Sequence, residues 1–363
     1  MSMMKAMVLE EPKKFAYKDV PVPEIDDDEV LIKVKYCGIC GSDWGSYNGK
    51  YADEVACLPI ATGHEFWGIV ERAGKNSQGI QAGDRVACDI CLTCSVCYHC
   101  RRGEPLLCSA FKQIGIHTNG AFAQYLKAPW RNCYIVPDSV DDYSAAFIEP
   151  LTACINASRK MNCELGASVV IIGAGLGIIH GALAKFRGAS PVIVIDSQPA
   201  RLAMARKMCA DYVIDITKTP DPVAEVLRLT NGVGADYVLE AVGRSETYDQ
   251  AFRMLRRGGK LEAFGICSDD DLMRVPPVQF VIHEKKVGGS CAGISHDWEV
   301  AIGLLQYKRI DPRPLISMIV PLCELETALH ELQQNKNLVK VLVSPEIRQR
   351  ILLQAGKAEH RGL

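Results

Sequence analysis

Between Ser168 and Cys291 six short apolar runs alternate with helical stretches, and this alternation constrains the fold more than any other feature of the chain. Val169–Ile172, Val192–Ile195, Val213–Ile214, Tyr237–Glu240, Lys260–Phe264 and Lys286–Ser290 read as strands, and Leu176–Phe186, Arg201–Met208, Val223–Leu229 and Tyr248–Leu255 as helices. Near-continuous apolar strands separated by helices bury as a parallel sheet covered on both faces. Six of them predict a doubly wound α/β sheet.

The first of these strands runs into Gly173-Ala174-Gly175-Leu176-Gly177-Ile178. A glycine-rich turn between a strand and a helix N-terminus aims backbone N–H groups and the helix dipole at an anion. Gly173 permits the tight turn, and Gly175 lets a pyrophosphate approach the backbone. The third glycine of such a fingerprint belongs at 178, where this chain has Ile; Gly177 comes one position early, so the helix–strand packing is expected to differ there. Asp196 closes the next strand, where a carboxylate accepts hydrogen bonds from both adenosine ribose hydroxyls and repels a 2′-phosphate. This predicts NAD rather than NADP. Arg201 counts against that preference, since it can pair with the phosphate or stack near adenine.

The chain holds 16 cysteines, unevenly spread. Cys94-x2-Cys97-x2-Cys100-x7-Cys108 offers four soft sulfur ligands and suits a closed, tetrahedral, structural zinc site. Cys91 and Cys88 continue the three-residue spacing upstream and leave the register open, and an iron–sulfur cluster is the alternative on ligand type. A second, mixed S/N/O set lies in Cys40, His64, Glu65 and Glu149. Taken together these could hold zinc with one position free for a substrate.

Around these motifs the chain is ordinary. With 363 residues it should form two domains, and hydrophobic residues at 48% and charged residues at 23% fit a globular protein. A formal net charge of −2 argues against nucleic acid or an anionic membrane surface as the main partner. Met1–Lys14 has no apolar core for a signal peptide, and Val169–Leu183 is too short and glycine-rich to span a bilayer, so a cytoplasmic protein with a small-molecule partner is expected. The first 150 residues read as β-rich, with strands at Met4–Leu9, Glu29–Val34, Gly68–Glu71, Asp84–Ala87 and Phe122–Leu126. After Cys291, Asp297–Gln306 and Leu325–Gln333 look helical and Lys340–Val343 looks like a strand. This tail is too short to fold alone and is expected to return to the first domain, with Ile347–Leu363 as a frayed helix.

Gly38-Ile-Cys40-Gly-Ser42-Asp43, Gly63-His64-Glu65, the four-cysteine lobe, Glu149-Pro150, the Gly173 turn and Glu240-Ala-Val-Gly243 together resemble the zinc-containing medium-chain dehydrogenases, over about Lys5 to Ser344. The resemblance implies a GroES-like β-rich catalytic domain at 1–152 with a structural zinc lobe at about 88–110. It implies a Rossmann NAD-binding domain at 153–291, a return at 292–363, and an active site in the cleft between the domains. It supports the register Cys94, Cys97, Cys100 and Cys108, leaving Cys88 and Cys91 outside.

The family's alcohol dehydrogenases often carry a third cysteine ligand where this chain has Glu149, whereas sorbitol, threonine and butanediol dehydrogenases carry glutamate. The resemblance is therefore to the polyol branch. Its catalytic zinc is held by Cys40, His64, Glu65 and Glu149, one glutamate binding directly or through water, with Asp43 orienting the site. That makes two zinc ions per subunit. Ser42 matches the hydroxyl that begins the family's proton relay, but the histidine often found five residues after the cysteine is Gly45 here, so water, the ribose or Glu149 would finish it. Gly173, Gly175, Leu176, Gly177, Asp196, Arg201 and Val242 fall on the coenzyme, and Trp44 and Tyr47 on the substrate pocket or its packing. The Arg-Tyr pair of polyol enzymes is replaced by Cys291-Ala-Gly-Ile-Ser295-His296, which weakens sorbitol itself as substrate; His296 meets substrate or lies on the surface.

The implied activity is NAD- and zinc-dependent oxidation of a secondary alcohol, a polyol, cyclitol or sugar-derived one. Amino-alcohol and 2,3-butanediol dehydrogenases are the near alternatives, and a sugar phosphate lacks a clear pair of pocket cations. A nucleotide-binding zinc protein without turnover is the alternative of another class. Family members form dimers or tetramers.

Overall fold

The computed structural model describes residues 2–51, 55–268 and 270–353. Its contacts divide the chain into two compact units, Met1–Thr152 with Gly293–Leu363, and Ala153–Ala292.

The first unit is built from β1 (Met3–Glu11), β2 (Lys14–Pro21), β3 (Glu29–Gly38), β4 (Ile60–Ala61), β5 (Glu65–Ala73), β6 (Arg85–Cys88), β7 (Cys91–Leu92), β8 (Lys112–Gln113), β9 (Tyr125–Pro129) and β10 (Cys133–Ile135). The second supplies β11 (Val169–Ile172), β12 (Val192–Asp196), β13 (Tyr212–Asp215), β14 (Ala235–Glu240), β15 (Leu255–Ala263) and β16 (Lys286–Gly289). The chain then adds β17 (Ile316–Pro321), β18 (Lys340–Ser344) and β19 (Ile351–Leu352) to the first unit.

In the first unit β1 lies between β2 and β4, and a larger sheet runs β10-β6-β5-β3-β18-β17-β19, with β9 also on β3. Strand β3 is its spine: Val30, Leu31, Ile32 and Val34 are almost fully buried. The returning β18 pairs antiparallel with the end of β3, Leu342 opposite Gly38 and Val343 opposite Cys37. The sequence alone did not suggest β17, whose run is framed by Pro312, Pro314 and Pro321. The expected frayed helix at the end is corrected in part: Ile351 and Leu352 form a short strand against Ile319 and Met318 of β17, where backbone pairing on the open edge of β17 holds the segment extended although both side chains stay exposed. Residues 354–363 of that expectation lie outside the described residues.

In the second unit the six strands are all parallel in the order β13-β12-β11-β14-β15-β16, the 3-2-1-4-5-6 order of a doubly wound dinucleotide-binding sheet. Val169, Val170, Ile171, Val192, Ile193, Val194 and Val238 are fully buried, as strands covered on both faces must be. A helix unforeseen in the sequence, Ile148–Met161, starts just ahead of this unit. Pro150 disguises it, yet at the third helical position its missing N–H would have had no intrahelical partner anyway.

Candidate active site

The S/N/O set is assembled by strand pairing. Gly38, at the end of β3, sits opposite Glu65, at the start of β5, which brings the turn after β3 beside His64. Gly63 reaches φ +93°, and the ring of Phe122 fills the space a side chain would need there, 2.8 Å from a Cβ. Cys40 precedes the helix Gly41–Tyr47, and its backbone N–H donates to Asp43 Oδ2 at 2.7 Å. Among the described residues the ligand atoms of Cys40, His64 and Glu65 all lie within 4.8 Å of one another. His64, Glu65 and Asp43 are buried, while Cys40 is half-buried, which leaves the group one approachable side.

The charges around it are unusual for a protein interior. Asp43 Oδ1 stands 3.9 Å from His64 Nδ1, and burial pushes the Asp43 carboxyl up to about 6 against the pull of His64. For His64 burial works downward, but Cys40, Asp43 and Glu149 outweigh it and hold the imidazole above its ordinary range. Ser42 Oγ lies 3.5 Å from His64 Nε2. Glu149 is also buried, and desolvation raises it to about 7, with His64 opposing and Glu65 reinforcing the shift. It falls outside the 4.8 Å group, so the geometry separates two glutamates that the sequence could not rank.

Sequence reasoning missed Lys340. Its Nζ forms an ion pair with Glu65 Oε2 and also donates to Ile39 O at 3.2 Å. A Cβ on Gly38 would collide with both Glu65 Oε2 and Lys340 Cε, so glycine is what makes room for the pair. The available signal was a lysine opening an otherwise apolar strand, Lys340-Val-Leu-Val. At Gly45, the room a side chain would take is filled by the ring of Tyr51, whose Cζ and hydroxyl oxygen would each be 3.0 Å from a Cβ.

Trp44 and Tyr47 both pack against neighbours within their unit. Tyr47 is buried, stacks on Phe15 and Trp44, and its hydroxyl donates to Glu326 Oε1 at 2.8 Å. Trp44 meets His330 edge to face. His296 opens the helix His296–Gln306 with an exposed ring.

The four lobe cysteines also come together, their sulfurs within 4.8 Å. Backbone N–H groups already point at them: Cys97 N at Cys94 Sγ (3.3 Å), Cys94 N at Cys108 Sγ (3.3 Å) and Ala110 N at Cys108 Sγ (3.4 Å). N–H donors from Cys100 and Ser109 pull Cys97 down to about 5. Burial and the neighbouring thiols Cys97 and Cys108 push Cys100 the other way, up to about 11, so a cation is what would bring all four to thiolate. Cys88 and Cys91 lie elsewhere, on β6 and β7, which settles the spacing ambiguity on geometry.

In the second unit Gly173 adopts φ +98°, and a Cβ there would lie 2.8 Å from Val242 Cγ2. The packing after the early glycine is shifted by one residue: Gly177 supplies the close approach, since a Cβ there would be 2.9 Å from Ile171 Cγ2, while Ile178 turns into the core. Asp196 accepts from Ala174 N (2.6 Å) and Gln198 N (2.8 Å), tying the glycine turn to the end of β12. Nη1 of Arg201 would lie 3.9 Å from a Cβ on Gly175, so its cation borders the same turn. Gly175 and Leu176 are half-buried and Val242 is exposed.

Residues 26–138 match the model of the alcohol dehydrogenase GroES-like domain, and 175–307 that of the zinc-binding dehydrogenases. D-arabinitol dehydrogenase 1 of Uromyces fabae is 31% identical over 347 residues, spanning 94% of this chain and 97% of the relative. The chain belongs to the zinc-binding alcohol dehydrogenase family. Another relative of this dehydrogenase is L-threonine 3-dehydrogenase of Bacillus subtilis, 34% identical over 90% of this chain and 94% of that one. Among solved structures, alcohol dehydrogenase TADH from Thermus sp. ATN1 superposes on the dehydrogenase with a TM-score of 0.87 at 30% identity, over 94% and 99% of the two chains. Among its described residues no helix is long and apolar enough to cross a membrane.

Proposed function

We propose that the dehydrogenase oxidises a secondary alcohol of the polyol, cyclitol or sugar-derived kind, with zinc at Cys40, His64 and Glu65 and NAD on the Gly173 turn. The observation that carries this is the convergence of one thiol, one imidazole and one carboxylate within 4.8 Å, with Cys40 half-buried. This donor set suits a zinc site with a position left for substrate. When bound, the metal supplies Lewis acidity that favours alkoxide over alcohol, and the coenzyme supplies the hydride acceptor.

The chain's own residues do the rest. Asp43 faces Nδ1 of His64 and would help orient the ring as a ligand when zinc is held there. Glu65, now paired with Lys340, would supply the carboxylate ligand, and buried Glu149 would add a second carboxylate near His64. Ser42, whose hydroxyl lies 3.5 Å from His64 Nε2, is placed to receive the substrate's proton. Gly173, Gly175, Leu176 and Gly177 would hold the coenzyme's pyrophosphate through their backbone, and Asp196, held by two backbone N–H groups, would take the ribose hydroxyls. Cys94, Cys97, Cys100 and Cys108 hold a second, structural zinc.

Zinc-replete protein assayed at 340 nm with NAD over a panel of polyols, cyclitols, threonine and 2,3-butanediol tests the reading. Turnover with a polyol or cyclitol is expected. Turnover confined to threonine would instead assign the amino-alcohol reaction, for which the threonine relative gives ground. Cys40→Ser should abolish turnover and leave NAD binding intact; retained activity would remove the metal cluster from the account. The reading also carries a cytoplasmic homo-oligomer, dimer or tetramer, supported by Val281, Ile282 and Val287 exposed on and beside the edge strand β16. Sedimentation measures it.

A further inference from the structure

Cys88 and Cys133 are absorbed by neither metal group. They sit directly opposite each other on the antiparallel strands β6 and β10. Asp89 N donates to Asn132 O at 2.7 Å, and Val136 N to Arg85 O at 2.8 Å. Hydrogen-bonded and non-hydrogen-bonded pairs alternate along an antiparallel ladder, so Cys88 and Cys133 form a non-hydrogen-bonded pair. There Cα atoms come within about 4.5 Å and side chains approach most closely. That spacing falls inside the range a disulfide spans without backbone movement, about 4.4–6.8 Å. The two sulfurs lie 3.8 Å apart. Cys88 is 1% exposed, while Cys133 is half-buried and can be reached from solvent.

We infer that Cys88 and Cys133 are a reversible thiol–disulfide site, closed by a low-molecular-weight disulfide such as oxidised glutathione. Cys133 gives up its proton and its thiolate attacks the oxidant, an S–S bond forms at Cys133 as the oxidant's S–S bond breaks, and one small thiolate leaves and takes that proton. Cys88 then gives up its proton and attacks Cys133 Sγ, and the second small thiolate leaves and takes the proton. Two protein thiols lose two electrons, and one small disulfide becomes two thiols. Cys133 is the more accessible of the two, so it reacts first and the buried Cys88, whose thiol is held well above its ordinary range by its hydrogen bond to Cys133 and by burial, resolves. The link pins the three-residue edge strand β10 to β6, at the point where Asn132 Nδ2 also donates to Asp89 O and Cys91 O on the way into the four-cysteine lobe.

The test uses native, zinc-loaded protein incubated with oxidised glutathione, then alkylated in denaturant, digested and mapped by mass spectrometry, with zinc measured in parallel. The expected result is a loss of two alkylatable cysteines, a peptide joining Cys88 to Cys133, unchanged zinc content, and reversal by dithiothreitol. Cys133→Ser should remove the linked peptide, and Cys88→Ala should stop the reaction at a glutathione adduct on Cys133. Wild-type protein that carries only the adduct, or that loses lobe thiols and zinc before any Cys88–Cys133 link appears, overturns the inference. The wild-type map decides this even if a variant fails to fold.

Discussion

Replacing Lys340 by Met removes the only cation that an ion pair gives Glu65 among the described residues. Lys340 is 7% exposed and Glu65 is 2% exposed. Burial is the largest single influence and pulls the lysine down, but Glu65, Cys40 and Glu149 together outweigh it and keep the ammonium above its ordinary range, so the lysine stays charged at neutral pH. Taking one partner from a buried ion pair costs about 3–5 kcal/mol, because the remaining charge is left in a poor solvent. For a unit of this size each kcal/mol moves Tm by about 2–4 °C, so metal-free Lys340→Met should melt roughly 6–20 °C below wild type. With zinc loaded, Glu65 has a second cation to turn to, and the loss should shrink to less than half. Differential scanning calorimetry of both proteins, after chelation and after zinc is restored, reads the two losses directly. Equal losses in the two states would mean that Glu65 does not serve the metal. No loss in either would refute the electrostatic argument itself.

Other consequences are separable. His180 is 2% exposed, and desolvation lowers it to about 3, well below an unfolded value of about 6.5. As pH falls below the unfolded value the unfolded chain binds a proton the folded chain refuses, so stability drops by about 2 kcal/mol between pH 7.5 and 5. His180→Leu should flatten that slope in urea titrations, and an unchanged slope would mean the ring is not held neutral. Cys97→Ser should release one zinc per chain to a colorimetric chelator and lower Tm, with NAD binding retained; full zinc content would show the lobe does not hold metal. Asp196→Ala should weaken NAD by roughly tenfold or more, the loss of charge-assisted hydrogen bonds, and narrow its margin over NADP in fluorescence titrations; an unmoved preference would place the ribose contact elsewhere.

How much of this was legible in the chain follows from the range of each interaction. The strand–glycine turn–helix unit at 169–186 and the four lobe cysteines are local patterns, read from a few neighbouring residues, and the structure forms both where the pattern stands. Gly177 shows the limit even of a local motif. The contact with Ile171 depends on which helical face meets the strand, and that face moved by one residue. Tyr47 looked free to line a pocket until Phe15 and Glu326 arrived from distant segments.

The amino-acid order by itself determined the six-strand alternation, the glycine turn and the clustering of soft ligands, because hydrophobic period and donor spacing act over a few residues. Only the tertiary structure decided that Glu65, not Glu149, joins Cys40 and His64, that Lys340 answers Glu65 across 275 positions, and that Cys88 faces Cys133. Glu65, Lys340, Cys88 and Cys133 all lie on strands, so these outcomes rest on strand register, where a shift of one residue would turn such a side chain to the opposite face.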